Sequence, residues 1–202
     1  MKKLLIATNN QGKIAEFQEL LTGSGIDFVT PAQINLELEV DEDGSTYREN
    51  AAKKAIAFAQ ASGLISLADD SGLEVNALAG APGLYSARYS PKPGANDRDR
   101  RNFLLKNLWD KPRPWTAHFH ATIAVAKPNG EVEFAEGECY GEIIPEERGM
   151  GGFGYDPIFL LTGLGKTMAE LDAAEKNRLS HRARAVMAAM PLLKKILSVE
   201  NS

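Results

Sequence analysis

Short apolar runs and amphipathic segments alternate along the first half of the chain, which predicts an α/β fold. Apolar runs at residues 4–7 and 26–29 predict two strands. Between them, residues 13–22 carry apolar side chains at helical spacing and predict an amphipathic helix. A strand, a polar loop and a helix in this order are typical of a parallel sheet covered by helices.

Capping residues predict where the next helices begin and end. Thr46 and Glu49 have the spacing of a capping box and predict a helix that runs to about Ala61, with Gly63 as its C-cap. Residues 97–109 predict another helix. We interpret the five consecutive charged residues at its start as a solvated face.

Two alternating segments, residues 115–126 and 131–144, flank an Asn-Gly pair and predict a β-hairpin. The C-terminal residues 174–197 predict a helix that is bent or broken at Pro191, because proline lacks the N–H that a helix interior needs. We therefore expect one α/β domain over residues 1–202 with a long antiparallel excursion.

Composition narrows the class of protein. The formal net charge of −4 argues against a protein that coats nucleic acid, since that function needs a basic excess. A single cysteine, Cys139, excludes an internal disulfide and is interpreted as a small buried hydrophobe. The apolar run at residues 4–7 is too short for a signal peptide or a membrane span, so we expect a cytoplasmic protein. His118 and His120 share a strand face, but no third metal ligand follows at a suitable spacing, and we interpret them as structural.

Two adjacent aspartates close a short apolar run at residues 64–68. Asp69 and Asp70, followed by Ser71 and Gly72, predict negative charge at the rim of a sheet, where open α/β folds bind ligands. Like charges this close are costly unless a cation or a hydrogen bond lies beside them. Because side chains alternate along a strand, we expect only one carboxylate to enter a given pocket. A solvated turn is the alternative interpretation.

The polar segment at residues 8–13 is a candidate phosphate site. It lies between a predicted strand and a predicted helix, where backbone N–H groups and the helix dipole favour an anion. Lys13 adds a cation, and Thr8 or Asn10 can donate to phosphate oxygens or bridge to a metal. Lys54, on the following predicted helix, is placed to reach the same anion. The alternative is an ordinary N-capped loop.

A glycine-rich segment at residues 149–157 is a candidate base-binding loop. It contains a formal G-x-G-x-x-G, but it precedes an apolar strand instead of a helix, so we reject a dinucleotide-binding fingerprint. Its Phe153 and Tyr155 suit stacking on a planar base. Donors for a carbonyl-rich or anionic ligand follow at Lys176, His181 and Arg182.

Six motifs in a fixed order carry a resemblance to a known enzyme family. They are Thr8-x-Asn10-x-x-Lys13, Glu49-Asn50-Ala51-x-x-Lys54-Ala55, Ala68-Asp69-Asp70-Ser71-Gly72-Leu73, Gly80-x-Pro82-Gly83-x-Tyr85-Ser86-Ala87-Arg88, Gly151-Gly152-Phe153-Gly154-Tyr155-Asp156-Pro157 and Ser180-His181-Arg182. On these motifs nearly the whole chain resembles the inosine/xanthosine triphosphate pyrophosphatases, the Ham1-like or RdgB-like nucleotidases. The resemblance implies an elongated mixed β-sheet flanked by helices, with two lobes around a central cleft. It also implies a homodimer and Mg²⁺-dependent hydrolysis of dITP, ITP, XTP and dXTP to the monophosphate and pyrophosphate.

The same resemblance assigns roles to particular positions. It makes Asp70 the proton acceptor and a metal ligand, and it places a second acidic metal contact in the loop before Thr46, where we favour Glu42 over Asp41. It assigns substrate binding to Thr8, Asn9, Asn10, Gln11, Gly12, Lys13, Ser71, Phe153, Gly154, Tyr155, Asp156, Lys176, His181 and Arg182.

Two other functions stay open from the sequence. One is a Maf-like pyrophosphatase of other modified nucleotides, against which Ser180-His181-Arg182 and the glycine-rich loop weigh. The other is a catalytically silent nucleotide sensor, against which Asp70 and Lys13 weigh. Neither hypothesis predicts a nucleic acid or a membrane as partner.

Overall fold

A mixed β-sheet with helices packed on it forms an α/β fold in the computed structural model, which describes residues 3–199. The strands of this part of the chain are β1 (Leu4–Ile6), β2 (Phe28–Val29), β3 (Ile65–Val75), β4 (Trp115–Ala126), β5 (Val132–Ile143), β6 (Phe159–Leu161) and β7 (Lys166–Thr167). The α-helices are α1 (Gln11–Leu21), α2 (Tyr47–Ser62), α3 (Asp97–Leu108), α4 (Ala173–Leu179) and α5 (His181–Val199). None of the helices within residues 3–199 is long and apolar enough to cross a bilayer.

The strands follow the order β2-β1-β3-β4-β5-β6-β7. β1 pairs in parallel with both of its neighbours, so that Leu4 lies beside Phe28 on one side and beside Ile65 on the other. β6 pairs antiparallel with β5 and with β7. The predicted hairpin is confirmed as β4 and β5, and the mixed sheet that the resemblance implied is present.

The described chain divides into two compact units. The first comprises residues 3–70, 121–137 and 182–199, and the second comprises residues 71–120 and 138–181. The boundary falls inside β3, immediately after Asp70.

In the first unit, the alternation of strand side chains separates two apolar clusters. Ile65 and Leu67 of β3 belong to a cluster with Phe17 of α1 and Leu193 of α5. Ala68, between them and the aspartates, belongs to another cluster with Phe58 of α2. Odd and even positions of β3 therefore face different helices, as the period of a strand requires.

The second unit has a core of its own. Leu104 and Leu108 of α3 pack with Trp115 of β4 and Phe159 of β6. Cys139 belongs to this cluster at 2% exposure, which confirms the expectation of a buried hydrophobe. His118 stacks on Tyr140 of the next strand and lies 3.6 Å from a Glu74 carboxylate oxygen.

Helix caps were predicted well because they depend on local sequence. The Thr46 side chain accepts from the Glu49 N–H at 3.1 Å, and Gly63 ends α2 with φ +69°. The Glu49 carboxylate, however, accepts from the main-chain N–H and the hydroxyl of Ser45. Asn10 caps α1 by accepting from the Lys13 N–H at 3.1 Å.

Two sequence-based expectations were wrong. The aspartates do not end a strand at the rim of the sheet, because β3 continues through Asp69, Asp70 and Gly72 to Val75. The predicted helix of residues 174–197 is not broken at Pro191, which lies inside α5, and a bend there stays a prediction. The break is at Ser180, whose extended backbone (φ −68°, ψ 155°) ends α4.

Candidate active site

The Asp69 carboxylate is the centre of a buried charge cluster in the first unit. Its side chain is fully buried, and its Oδ2 accepts from Nε and Nη2 of Arg182 at 3.1 and 2.9 Å. Its Oδ1 lies 3.2 Å from Nζ of Lys13. Burial alone would raise the pKa of Asp69, but Lys13 and Arg182 outweigh it and hold the pKa well below the usual range. Arg182 also pairs with Glu16 of α1, so α1, β3 and α5 meet at this cluster.

Two lysines converge on the same stretch of β3. Lys54 of α2 donates to the Asp69 carbonyl oxygen at 3.1 Å and pairs with the Glu42 carboxylate. Burial lowers the pKa of Lys13, although Asp69 acts in the opposite direction, and Lys54 and Arg182 lower it further. This arrangement concentrates positive charge beside the aspartates, in a chain whose net charge is negative.

Asp70 has a different environment from its neighbour. The Asn50 side-chain amide of α2 donates to its Oδ2 at 3.0 Å. Burial raises the pKa of Asp70 above its usual range and the nearby Glu42 adds to this, while Asn50 and Lys13 act in the opposite direction. The two carboxylates thus have opposite pKa shifts.

A pocket of about 310 Å³ lies beside these groups in the first unit. The predicted residues Thr8, Asn9, Asp41, Glu42 and Lys54 are among those that line it. Its size is at the lower end of the range for small-molecule sites, about 300–1,000 Å³. Two residues of the polar segment 8–13, one acidic segment and one lysine of α2 therefore line the same pocket.

The carboxylates beside this pocket suit a magnesium ion that is shared with a substrate. Within residues 3–199, no group of three or more histidine, cysteine, aspartate or glutamate side chains is arranged to hold a metal by itself. Mg²⁺ is usually held by one or two carboxylates together with water and substrate phosphates. The pair Asp70 and Glu42 fits this pattern, and Glu42 fits better than Asp41, which is exposed.

The second unit contains the predicted base-binding residues. Lys176 of α4 bonds the buried Asp156 carboxylate at 2.7 Å, and the same oxygen accepts from the Phe153 N–H at 3.0 Å. The Lys176 ammonium lies 5.4 Å from the centre of the Phe153 ring. These contacts join three of the predicted residues into one local cluster.

The other predicted residues of the second unit occupy distinct positions. Tyr155 is almost fully buried, and its hydroxyl donates to the Ser86 carbonyl at 2.9 Å, so its ring is a structural anchor more than an exposed stacking surface. Burial raises the pKa of its phenol. His181 stacks on Phe119 with ring centres 4.7 Å apart. Ser71 is half-buried on β3.

Sequence reasoning missed several partners of the site. The expectation for Arg182 was a base contact, whereas the structure shows its guanidinium bound to Asp69 and Glu16 in the first unit. The charged start of α3 is not a purely solvated face, because Arg101 is 9% exposed and bonds the Glu147 carboxylate. The spacing of Arg101 gave no signal, since its partner lies 46 residues away.

Comparisons with known proteins agree on one family. A sequence model of the Ham1 family matches residues 4–192. A dITP/XTP pyrophosphatase of Desulforamulus reducens is 47% identical over 195 residues, which are 96% of either chain. A Bacillus subtilis protein of the same name is 44% identical over 96% of this chain and 98% of its own. A solved HAM1 protein from Coxiella burnetii superposes with a TM-score of 0.86 at 40% identity, over 96% of this chain and 100% of the other.

The opposite pKa shifts of the two aspartates predict opposite effects on stability in metal-free protein. Asp69, whose pKa is lowered, stabilises the fold above an unfolded-state pKa of about 4 and loses this contribution as pH falls. Asp69→Asn should therefore lower the free energy of unfolding by about 3–5 kcal/mol at pH 7, because it leaves buried cations uncompensated. Asp70, whose pKa is raised, destabilises the fold above that raised pKa, so Asp70→Asn should increase stability.

Denaturant unfolding with a chelator, at pH 7 and at pH 4, checks the predicted loss of stability in Asp69→Asn and the predicted gain in Asp70→Asn. The gain from Asp70→Asn should shrink toward pH 4, because the wild-type carboxyl becomes protonated in the folded state as pH falls through its raised pKa. A loss of stability in Asp70→Asn at pH 7 would contradict this account of its environment.

Proposed function

The chain belongs to the Ham1 family, and on that premise we propose that it hydrolyses non-canonical purine nucleoside triphosphates. The substrates are ITP, dITP, XTP and dXTP, and the products are the nucleoside monophosphate and pyrophosphate. The observation that carries the proposal is the cluster of Lys13, Lys54, Glu42 and Asp70 around β3, which offers both cations for phosphate and carboxylates for a metal. The relatives named dITP/XTP pyrophosphatase support the choice of base.

Phosphate binding falls to the first unit in this proposal. Lys13 and Lys54 supply cations, and the start of α1 supplies backbone N–H groups and the positive end of its dipole. Thr8, Asn9 and Asn10 form the loop that approaches the phosphates, together with Gln11 and Gly12 in the first turn of α1. Because Lys13 is already oriented by the Asp69 carboxylate, it does not have to be ordered when the substrate binds.

Asp70 acts as the proton acceptor that orients the attacking water. In metal-free protein burial raises its pKa, and the amide of Asn50 fixes one of its oxygens. Asp70 and Glu42 would hold Mg²⁺ when the substrate binds, with Asp41 as the weaker candidate. A bound magnesium ion supplies charge neutralisation at the transferred phosphoryl group.

Base recognition falls to the second unit. Phe153 offers a ring face for stacking, and the Asp156 carboxylate holds Lys176 beside it, where its ammonium can donate to an oxo group. Gly154, Tyr155 and His181 complete the proposed base contacts, and Ser71 contacts the substrate beside Asp70. Arg182 keeps its place in the proposal, but its guanidinium binds Asp69 and Glu16, so its first task is to neutralise Asp69.

The proposal also includes a homodimer in the cytoplasm, which the resemblance implies. Size-exclusion chromatography with light scattering tests the dimer without reference to activity. A monomer at micromolar concentration would remove that part of the proposal and leave the catalytic part unchanged.

Measuring pyrophosphate release from ITP, XTP, GTP and ATP with Mg²⁺ tests the activity. ITP and XTP carry a 6-oxo acceptor and should be hydrolysed well, whereas ATP presents a donor to the donors of the site. A site built for one hydrogen-bonding group can reject the mismatched analogue by up to about 10⁴-fold. GTP keeps the oxo group but adds a 2-amino donor and should also be slow. Equal rates for all four nucleotides would contradict the assignment, and no turnover would favour a sensor.

Replacing the proposed base should abolish turnover while binding persists. Asp70→Asn keeps the size of the side chain but accepts a proton poorly, and losing a general base costs about 10²–10⁴ in rate. Pyrophosphate release should fall by at least that factor, whereas the affinity for ITP, measured by calorimetry, should change little. If release stays within a few-fold of wild type, Asp70 is not the catalytic carboxylate.

Replacing Lys13 should weaken binding of the phosphates selectively. Lys13→Ala removes a charge-assisted contact, so the affinity for ITP should fall much more than the affinity for inosine, and the difference should shrink as salt rises. Titrations of both ligands at low and high ionic strength provide the measurement. Equal losses for ITP and inosine would instead indicate a folding defect.

A further inference from the structure

The glycine-rich loop at residues 149–157 is fixed by packing at most of its glycines. A side chain at Gly149 would collide with the Ala169 main chain, and one at Gly152 would collide with the Asp156 carboxylate. The N–H of Gly151 donates to the Ala169 carbonyl at 3.0 Å. The main chain at these positions is therefore packed closely against neighbouring atoms.

Gly154 is the exception within this loop. It has a left-handed backbone (φ +61°), and the space around the position of its missing side chain is open. A glycine in open space can adopt many backbone conformations, so packing alone does not hold it in this one. Yet Gly154 connects Phe153 to Tyr155, and its conformation sets the direction in which the chain presents both.

Side chains of α3 hold both main-chain polar groups of Gly154. The Asp97 carboxylate accepts from the Gly154 N–H at 2.8 Å, and Nη1 of Arg101 donates to the Gly154 carbonyl at 2.7 Å. Arg101 is itself oriented by Glu147, which accepts from its Nε and Nη2 at 2.9 and 3.0 Å. We name Asp97, Arg101 and Glu147 the α3 clamp.

We propose that the α3 clamp positions the base-binding loop, with Asp97 and Arg101 as positioning residues for recognition of the purine base. This inference rests on the proposed function, because it assumes that Phe153 and its neighbours contact the base. Neither residue needs to touch the substrate, since each acts through the backbone of Gly154.

The chemistry of the clamp suits a fixed geometry. Arg101 uses one edge of its planar guanidinium for a bidentate carboxylate contact and still directs another N–H to the loop, which a lysine cannot do. Burial of Asp97 works against its charged form, but the Gly154 N–H and Arg100 outweigh it and hold its pKa below the usual range. The acceptor for Gly154 is therefore ionised at neutral pH.

Arg101→Met tests the proposal, because it keeps an unbranched apolar stem but removes every donor. The Michaelis constant for ITP and the inhibition constant of inosine should both rise about 10- to 100-fold, the range for losing a hydrogen bond to a charged group. The inhibition constant of pyrophosphate should stay within about twofold, since the clamp belongs to the second unit and the phosphate loop to the first. Arg101→Lys should recover part of the loss, because its ammonium still donates but lacks the planar fork that binds Glu147 in a bidentate contact.

The matched control is Lys106→Gln, which removes a positive charge from an exposed position of the same helix. It should leave all three constants unchanged. Two variants of Asp97 provide an independent test. Asp97→Asn keeps an acceptor for the Gly154 N–H, so its constants for ITP and inosine should be closer to those of the wild type than the constants of Asp97→Ala. Thermal unfolding of each variant separates a shifted loop from a damaged fold.

Two results would contradict the proposal that the α3 clamp positions the base-binding loop. One is an Arg101→Met variant with unchanged inosine inhibition, whatever its stability. The other is a parallel rise of the inosine and pyrophosphate constants, which would indicate a general structural role. Failure of the proposed function is distinguishable from both, because it shows in the wild-type protein as no pyrophosphate release from ITP.

Discussion

Neutralisation of the buried Asp69 carboxylate is the constraint on which the first unit depends. A carboxylate with no exposure to water is tolerated only when cations and hydrogen bonds replace its hydration. Lys13 and Arg182 do this from two different helices, which ties α1 and α5 to the same strand. The position of Lys13, which we propose as a cation for phosphate, follows from this buried charge.

The alternation of side chains along β3 then gives Asp69 and Asp70 different environments. Asp69 faces the helices that supply cations, and its carboxyl group stays ionised. Asp70, one residue later, faces α2, where an amide and a nearby glutamate leave its pKa raised. Two identical residues in sequence therefore become an anchor and a candidate base because of what packs on either face of the sheet.

Local chemistry could be predicted from the sequence, and long-range pairing could not. The caps at Thr46 and Gly63 and the hairpin formed by β4 and β5 depend on residues within a few positions of each other, and all were predicted. Whether β3 ends after the aspartates depends on a partner for Asp69 that lies 113 residues away. The hydropathy pattern predicts that the strand ends at Asp69 and Asp70, because it contains no information on the pairing with Arg182. That pairing makes a buried aspartate tolerable.

The same limit applies to the candidate site. The residues of the loop at 8–13 could be grouped with Lys54 from spacing and charge, and the structure places Thr8, Asn9 and Lys54 around one pocket. The sequence at the start of α3 is typical of a charged surface. Arg101 nevertheless donates to the Gly154 carbonyl, 53 residues later in the sequence. A series of charged residues does not by itself indicate which of its side chains is buried, since that depends on the loop that packs against the helix.

The burial of Cys139 gives the second unit a chemical reporter of its own. It is the single cysteine of the chain, and it lies in the apolar core of that unit at 2% exposure. A thiol reagent can reach it only when that core opens, so the rate of labelling measures local opening there, in the way that amide exchange measures it for backbone groups. Because the first unit has no thiol, such kinetics would resolve the stability of one unit without any spectroscopic signal from the other.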